Sequence, residues 1–325
     1  MPRPGERVLV TGATGFVGGA VRPALRAAGW QVRCLTRSTR PLPADRDDEW
    51  AQGDIADEAA VARALTGCRA ALYLVHQMGD GDDFHRREVA SARSFARAAA
   101  AAGVKRIVYL GGMLPRQGAS EHLQSRREVG EALRAGPVPA VELRASMIIG
   151  HGSLSWLIVR DLAARLPVMV LPSWLKSRTQ PVAIDDVVVA LVRALEVDLF
   201  GDAHFDLPGP ETLSGAEILD ATARALGLGP PWKVNVPLLT PRLSSLWVRF
   251  VTRARWSVAR QVVIGLTHDL VAKDEGFWPR IGYGARLPFA EAARRALAAE
   301  PDGTTPGPWG VVERMRKLVA ALTPA

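Results

Sequence analysis

The chain has 325 residues, 48% hydrophobic and 23% charged, a globular balance that excludes a disordered or collagen-like protein. At ~100–200 residues per domain it makes one large or two coupled domains, with enough core to fold without disulfides or a structural metal. Its two cysteines, Cys34 and Cys68, exclude a disulfide framework and a Cys-rich zinc site, and its net charge of +8 rests on 36 arginines and five lysines.

Strands and helices alternate through the first half. Strands are expected at Arg7–Thr11, Gln31–Thr36, near Glu49–Gln52, Ala70–Val75, Arg106–Leu110 and Val138–Leu143. Helices are expected at Phe16–Ala28 with Gly29 as its stop, from Asp57 as cap to Leu65, at Asp83–Ala102 and at Ser120–Arg134. Such alternation means right-handed βαβ units and a Rossmann-type, doubly wound parallel sheet of the α/β class. The pattern then loosens. Ser153–Arg165 reads as a helix, Pro167–Leu171 as extended and Val182–Ile184 as a short strand, with Asp185 capping a helix to Leu195. Further helices are expected at Ser214–Leu226, Pro241–Val251, Phe289–Ala299 and Trp309–Leu322. The expected division is a nucleotide-binding core over 1–150 and a segment over 151–300 that completes it and forms a smaller α/β lobe. A tail with a short helix follows over 301–325.

The strongest signal is VLVTGATGFVG at positions 8–18, where a buried strand runs into a glycine-rich turn and then a helix. Gly12 permits the tight turn, Gly15 lets the backbone approach a pyrophosphate, and Gly18 lets the helix pack closely. Thr14, Phe16 and Val17 complete the turn and open the helix, whose free N–H groups favour phosphate. An NAD-selective site places an acid at the end of the second strand; here VRCLTRS stands there, and no acid occurs between Glu6 and Asp45. A carboxylate would repel a 2′-phosphate, whereas Arg37 with Ser38 suits one, with Arg33 and Arg40 nearby, so NADP is the expected cofactor. Asp54 is placed to accept from an adenine amino group, with Ile55 beside the ring; the alternative for Asp54 is a turn or cap role. His76, after the fourth strand, either contacts the cofactor or caps the strand end.

TGATGFVG, GDI at 53–55, VKRIVYLGG at 104–112 and PVAIDDV at 181–187 together resemble the extended and atypical short-chain dehydrogenase/reductase superfamily, in its NmrA-like and NAD-epimerase-like branch. The resemblance spans roughly residues 6–300. It implies chemistry by a Tyr-x-x-x-Lys pair, and the sequence departs from that pair. None of Tyr73, Tyr109 and Tyr283 has a lysine four residues on. His122 falls on the Tyr position and Arg126 on the Lys position, and Gly111-Gly112 replaces the usual Ser. Spaced by four on a helix, His122 and Arg126 share one face. One reading makes His122 the proton donor, since an unperturbed imidazole titrates near neutrality, and gives Arg126 a ribose or phosphate. The other leaves His122 an ordinary polar residue and pairs Arg126 with Glu121 or Glu128.

Met113, Met147, Ile148 and Trp174 lie in segments that floor an apolar pocket or belong to the core. No metal-ligand spacing and no G-x-S-x-G elbow is present. The expected function is NADPH-dependent reduction of a small apolar carbonyl or conjugated compound, the alternative a non-catalytic NADP(H)-binding sensor or accessory subunit. A small-molecule partner is expected and a nucleic acid is not. The strand starting by Val8 leaves no room for a signal peptide, so a cytoplasmic setting is expected. From Ala221 to His268 there are seven basic residues and no acidic one, and a basic Trp-bearing helix over 240–253 suits weak contact with a membrane surface or packing on its own domain.

Overall fold

The computed structural model describes residues 5–38, 47–76, 82–116, 118–166, 168–171, 176–198, 203–229, 232–235, 251–252, 268–273, 276–301 and 308–322. The helix expected over 240–253, Arg40 and Trp174 fall outside them, but for its last two described residues at 251–252.

Seven parallel strands make the main sheet. They are β1 (Arg7–Thr11), β2 (Gln31–Thr36), β3 (Glu49–Gln52), β4 (Cys68–Tyr73), β5 (Arg106–Gly112), β6 (Ala140–Ala145) and β11 (Ala203–Asp206), in the order β11-β6-β5-β4-β1-β2-β3. The order reverses between β1 and β4, and ligands of such sheets bind at the carboxyl ends of the strands beside that reversal. Side chains alternate across the pleat. Val8, Val10, Val32, Leu72 and Val108 point to one face, under α1 (Phe16–Ala27) and α6 (Ile184–Ala194). Leu9, Leu35, Ala71, Tyr73 and Ile107 point to the other, under α2 (Glu58–Leu65), α3 (Asp82–Ala101) and α4 (Glu121–Arg134). Burial on both faces is why VLV and its partners are continuous apolar runs.

The caps explain several boundaries. Asp57 accepts from the Ala59 and Ala60 N–H groups, and Ser120 from that of Leu123. Asp185 does not cap α6: Ala183 holds that position without a side-chain bond, and Asp185 and Asp186 occupy the first turn, where their charge suits the helix dipole. Asp185 pairs with Arg295 at 2.9 Å, while Asp186 accepts from the Tyr283 hydroxyl at 2.7 Å and the Leu287 N–H at 2.9 Å.

A separate core binds α5 (Leu154–Arg165), α7 (Gly215–Ala225) and α9 (Phe289–Ala298) around Trp156, Ile218, Leu219 and Phe289. Two-residue strands β7 (Ile148–Ile149) and β10 (Val182–Ala183) pair beside it, as do β9 (Arg178–Thr179) and β12 (Leu213–Ser214), and β8 (Val168–Leu171) pairs with β13 (Trp232–Asn235). A single turn, α8 (Phe277–Arg280), packs Phe277 and Trp278 into the main core. The last helix, α10 (Pro308–Leu322), is tied down by charge. Glu313 accepts from Arg160 Nη1 and Arg165 Nε of α5, both at 2.9 Å, and Asp161 sits between the two arginines at 3.3 and 3.1 Å. Arg165 also donates to the Val251 carbonyl. Among the described residues, no helix is long and apolar enough to cross a membrane.

Candidate functional site

The glycine turn sits at the carboxyl end of β1. Gly12 has a left-handed φ of +66°, and a Cβ there would lie 2.7 Å from the Leu74 carbonyl oxygen of the neighbouring strand end. The Gly15 N–H donates to the Gly12 carbonyl at 2.9 Å, closing the turn. A Cβ on Gly18 would fall 2.2 Å from the Gly12 oxygen and 2.8 Å from Ala13 Cα, so here the close approach is of helix to turn. Gly15 caps α1 without a side-chain bond, and the first turn holds no acid, which leaves its N–H groups for an anion. Thr14 is exposed at the turn and Val17 packs against the core. Phe16 reaches across to the loop after β7, where a Cβ on Gly150 would come within 2.9 Å of its ring. A backbone that approaches this closely, with free N–H groups beyond it, fits the pyrophosphate of a dinucleotide.

At the end of β2, Arg37 is 76% exposed and makes one loose contact, 3.8 Å to Asp54. The Ser38 N–H donates to Thr36 Oγ1. Asp54 accepts from the Ala56 N–H at 2.9 Å in a local turn, so the turn role is real, with its second oxygen on the Arg37 side. Ile55 is buried in the core with Leu35 and Val61. Arg33 does not stand with Arg37. It is buried mid-strand and donates to the Ala64 and Thr66 carbonyls at 2.7 and 2.6 Å, serving the carboxyl end of α2.

The second half of the site grows from β4 and β5. Two residues beyond Leu74 stands His76, whose ring meets Tyr109 edge-on at 5.9 Å. Burial, helped by the charge of Arg126 and by His122, holds the His76 imidazole well below its ordinary range, against the pull of a hydrogen bond with the Leu110 backbone. His122 is pushed down to about 3 by burial and then by Arg126. Both imidazoles are therefore neutral at pH 7, which corrects the expectation that His122 titrates near neutrality. Tyr109 is no acid either: burial raises its phenol far above the usual value, and its hydroxyl donates to the Arg126 carbonyl at 3.1 Å.

Gly111 and Gly112 have packing reasons. A Cβ on Gly112 would meet Leu123 Cδ2 at 2.9 Å and Arg126 Cδ at 3.3 Å, and one on Gly111 would meet Glu142 Oε1 at 2.9 Å. The missing side chain at Gly112 gives Arg126 its place against the strand end. Arg126 pairs with neither acid suggested by the sequence. The Glu128 carboxylate takes His85 at 2.7 Å and Gln124 at 3.1 Å, and no carboxylate lies within ion-pair distance of Arg126 among the described residues. Its Nε is sealed from solvent without a partner. Met113 and Met147 are core residues, and Ile148 packs half-buried against the core. Among the described residues, no group of three or more His, Cys, Asp or Glu side chains is placed to hold a metal. The buried cluster of Tyr109 with the two engaged acids Glu88 and Glu142 was missed from sequence; only the apolar strand context of Tyr109 and Glu142 pointed to burial.

Comparison with known proteins agrees with this geometry. A family described as NAD(P)H-binding matches residues 12–164. The chain is 31% identical over 230 residues to the (4-alkanoyl-5-oxo-2,5-dihydrofuran-3-yl)methyl phosphate reductase of Streptomyces griseus, covering 68% of this chain and 74% of that one. It is 28% identical over 227 residues to the ceramide reductase of Caulobacter vibrioides, covering 69% and 71%. In fold it matches a Citrobacter triphenylmethane reductase with a TM-score of 0.71 at 17% identity, over 90% of this chain and 99% of that one. It likewise matches the UDP-glucose 4-epimerase of Thermotoga maritima at 0.69 and 14%, over 90% and 97%. The turn at Gly12–Gly18, the strand order and these relatives converge: the chain belongs to the NAD(P)-binding short-chain dehydrogenase/reductase superfamily, in its NAD-epimerase and NmrA-like branch.

Proposed function

We propose that the protein is an NADPH-dependent reductase of a small apolar carbonyl or conjugated compound. The observation that carries this reading is one continuous edge: Gly12 abuts Leu74, His76 follows two residues later, and Tyr109, His122 and Arg126 gather around it. NADPH supplies the hydride when bound. Gly12–Gly18 and the first turn of α1 bind the pyrophosphate, and Arg37 with Ser38 faces the 2′-phosphate. Freedom from acids between Glu6 and Asp45 and the exposure of Arg37 support NADPH over NADH. A neutral His122 donates an N–H hydrogen bond to the acceptor oxygen, as an electrophile rather than as imidazolium. Arg126 stabilises negative charge that develops there, and water delivers the proton. The relatives named for a ceramide and for an alkanoyl phosphate ester support an acyl-chain substrate.

The test is a fluorescence titration with NADPH and NADH, followed by turnover against ketone and enone panels. The reading expects NADPH to bind at least tenfold tighter and His122→Ala to lose turnover while keeping nucleotide binding. Equal or absent nucleotide affinity removes the cofactor assignment. One observation favours a second reading, a non-catalytic NADP(H) sensor: the family Tyr-Lys pair is missing and His122 sits near 3. On that reading the panel shows no turnover in any variant.

A further inference from the structure

Arg126 is a cation with no carboxylate in ion-pair contact among the described residues, offset only at longer range by the charge of Glu88. The acids around it are occupied: Glu88 accepts from the Ser125 hydroxyl at 2.5 Å, Glu128 takes His85 and Gln124, and Glu142 takes Arg134 at 3.1 Å and Arg144 at 2.9 Å. The Arg126 Nε is buried and unpartnered among the described residues. An unpaired buried cation is costly, so a fold that keeps one gains when an anion arrives. Arg126 packs over Gly112, and His122, one helical turn before it, offers a neutral N–H donor, whereas the His76 N–H is already taken by the Leu110 backbone. The guanidinium fork suits a planar or tetrahedral oxyanion held by two parallel bonds.

We propose that His122 and Arg126 form a subsite for an oxyanion carried by the substrate, a carboxylate or a phosphate monoester close to the reducible bond. This rests on the reductase reading and narrows its substrate from simply apolar to an amphiphile with an acidic head. The cofactor phosphates are already served elsewhere, by the α1 turn and by Arg37.

NADPH binding is measured first, because its failure would refute the nucleotide reading and not this one. The full-length protein saturated with NADP+ is then titrated with decanoate, decyl phosphate and decanol, followed by calorimetry. We expect an oxyanion to bind at least tenfold tighter than decanol, the tighter of the two showing whether the head is carboxylate or phosphate. Arg126→Gln should erase that preference, and Arg126→Lys should restore part of it, which excludes simple misfolding. Equal binding of acid and alcohol, or no binding of either, overturns the proposal. So does an Arg126→Gln protein that loses NADPH affinity tenfold, or inorganic phosphate that displaces NADPH but not decanoate.

Discussion

Two adjacent glycines in α1 should respond to alanine with opposite signs. At Gly18 a Cβ would lie 2.2 Å from the Gly12 carbonyl oxygen and 2.8 Å from Ala13 Cα, both backbone atoms of the phosphate turn. An ordinary C···O approach is about 3.3 Å, so helix and turn must separate by about 1 Å. Overpacking costs ~1–3 kcal/mol, and the upper end applies because no flexible side chain can yield. Alanine's helix preference returns ~1 kcal/mol, for a net loss of about 2 kcal/mol. At Gly19 nothing lies within 4 Å, so Gly19→Ala should gain ~0.4–1 kcal/mol through the unfolded chain alone. The same 1 Å shift in Gly18→Ala takes the α1 N–H groups away from the pyrophosphate. Hydrogen bonds to charged groups are worth ~1.5–3 kcal/mol, so NADPH affinity should fall at least about tenfold. Urea unfolding measures the first effect and NADPH fluorescence the second. Equal stability of the two variants, or an undiminished NADPH affinity in Gly18→Ala, would refute the close-approach argument.

Arg37→Ala should weaken NADPH by about tenfold and NADH little, read by paired titrations; parallel losses would place Arg37 outside the 2′-phosphate site. Because His122 and His76 are held below the unfolded value of ~6.5, the unfolded chain binds protons that the folded chain refuses. The contribution of His122 is therefore complete above pH ~6.5 and lost as pH falls toward about 3, and that of His76 has the same sign. Urea unfolding at pH 7 and 5 should show His122→Gln losing less stability between the two than wild type, and an identical loss would contradict the burial. Glu313→Gln should cost about 2 kcal/mol, since Arg160 and Arg165 each lose one charged partner but keep Asp161, and Arg160 keeps Glu300; a loss under about 0.5 kcal/mol in urea would mean the network carries no net charge stabilisation.

Most of the first six main strands were legible as short, largely apolar runs between helices; β3, EWAQ, is the exception, marked chiefly by the Gly53 turn that follows it. Their ends slipped by up to two residues: β4 begins at Cys68 rather than Ala70, and β5 continues through Gly111 and Gly112, which a propensity argument stops short of. The seventh strand, AHFD at 203–206, alternates apolar and polar residues for only four positions, too few to distinguish it from a loop. Its partner β6 makes it a strand, and that pairing is tertiary. The same holds for the two-residue pairs in the smaller lobe. In the site, glycine spacing announced the turn, whereas Arg33 and Arg37 look alike in sequence and differ in place, Arg33 buried within β2 and Arg37 exposed just past its end. The depressed imidazoles were invisible, because neutrality here comes from burial and a guanidinium four residues away.

The charged clasp between α5 and α10 sets an order of events during synthesis. The main sheet lacks its edge until residue 206 has been added. Even then Arg160 and Arg165 of α5 have no Glu313, which follows about a hundred residues later. A nascent chain between those points holds a finished nucleotide cradle beside a lobe whose helix carries two inward cations and one acid. The smaller lobe is thus the part of the molecule that a chaperone would meet unfinished, and its closure is a signal, readable by protease resistance, that translation has passed Glu313.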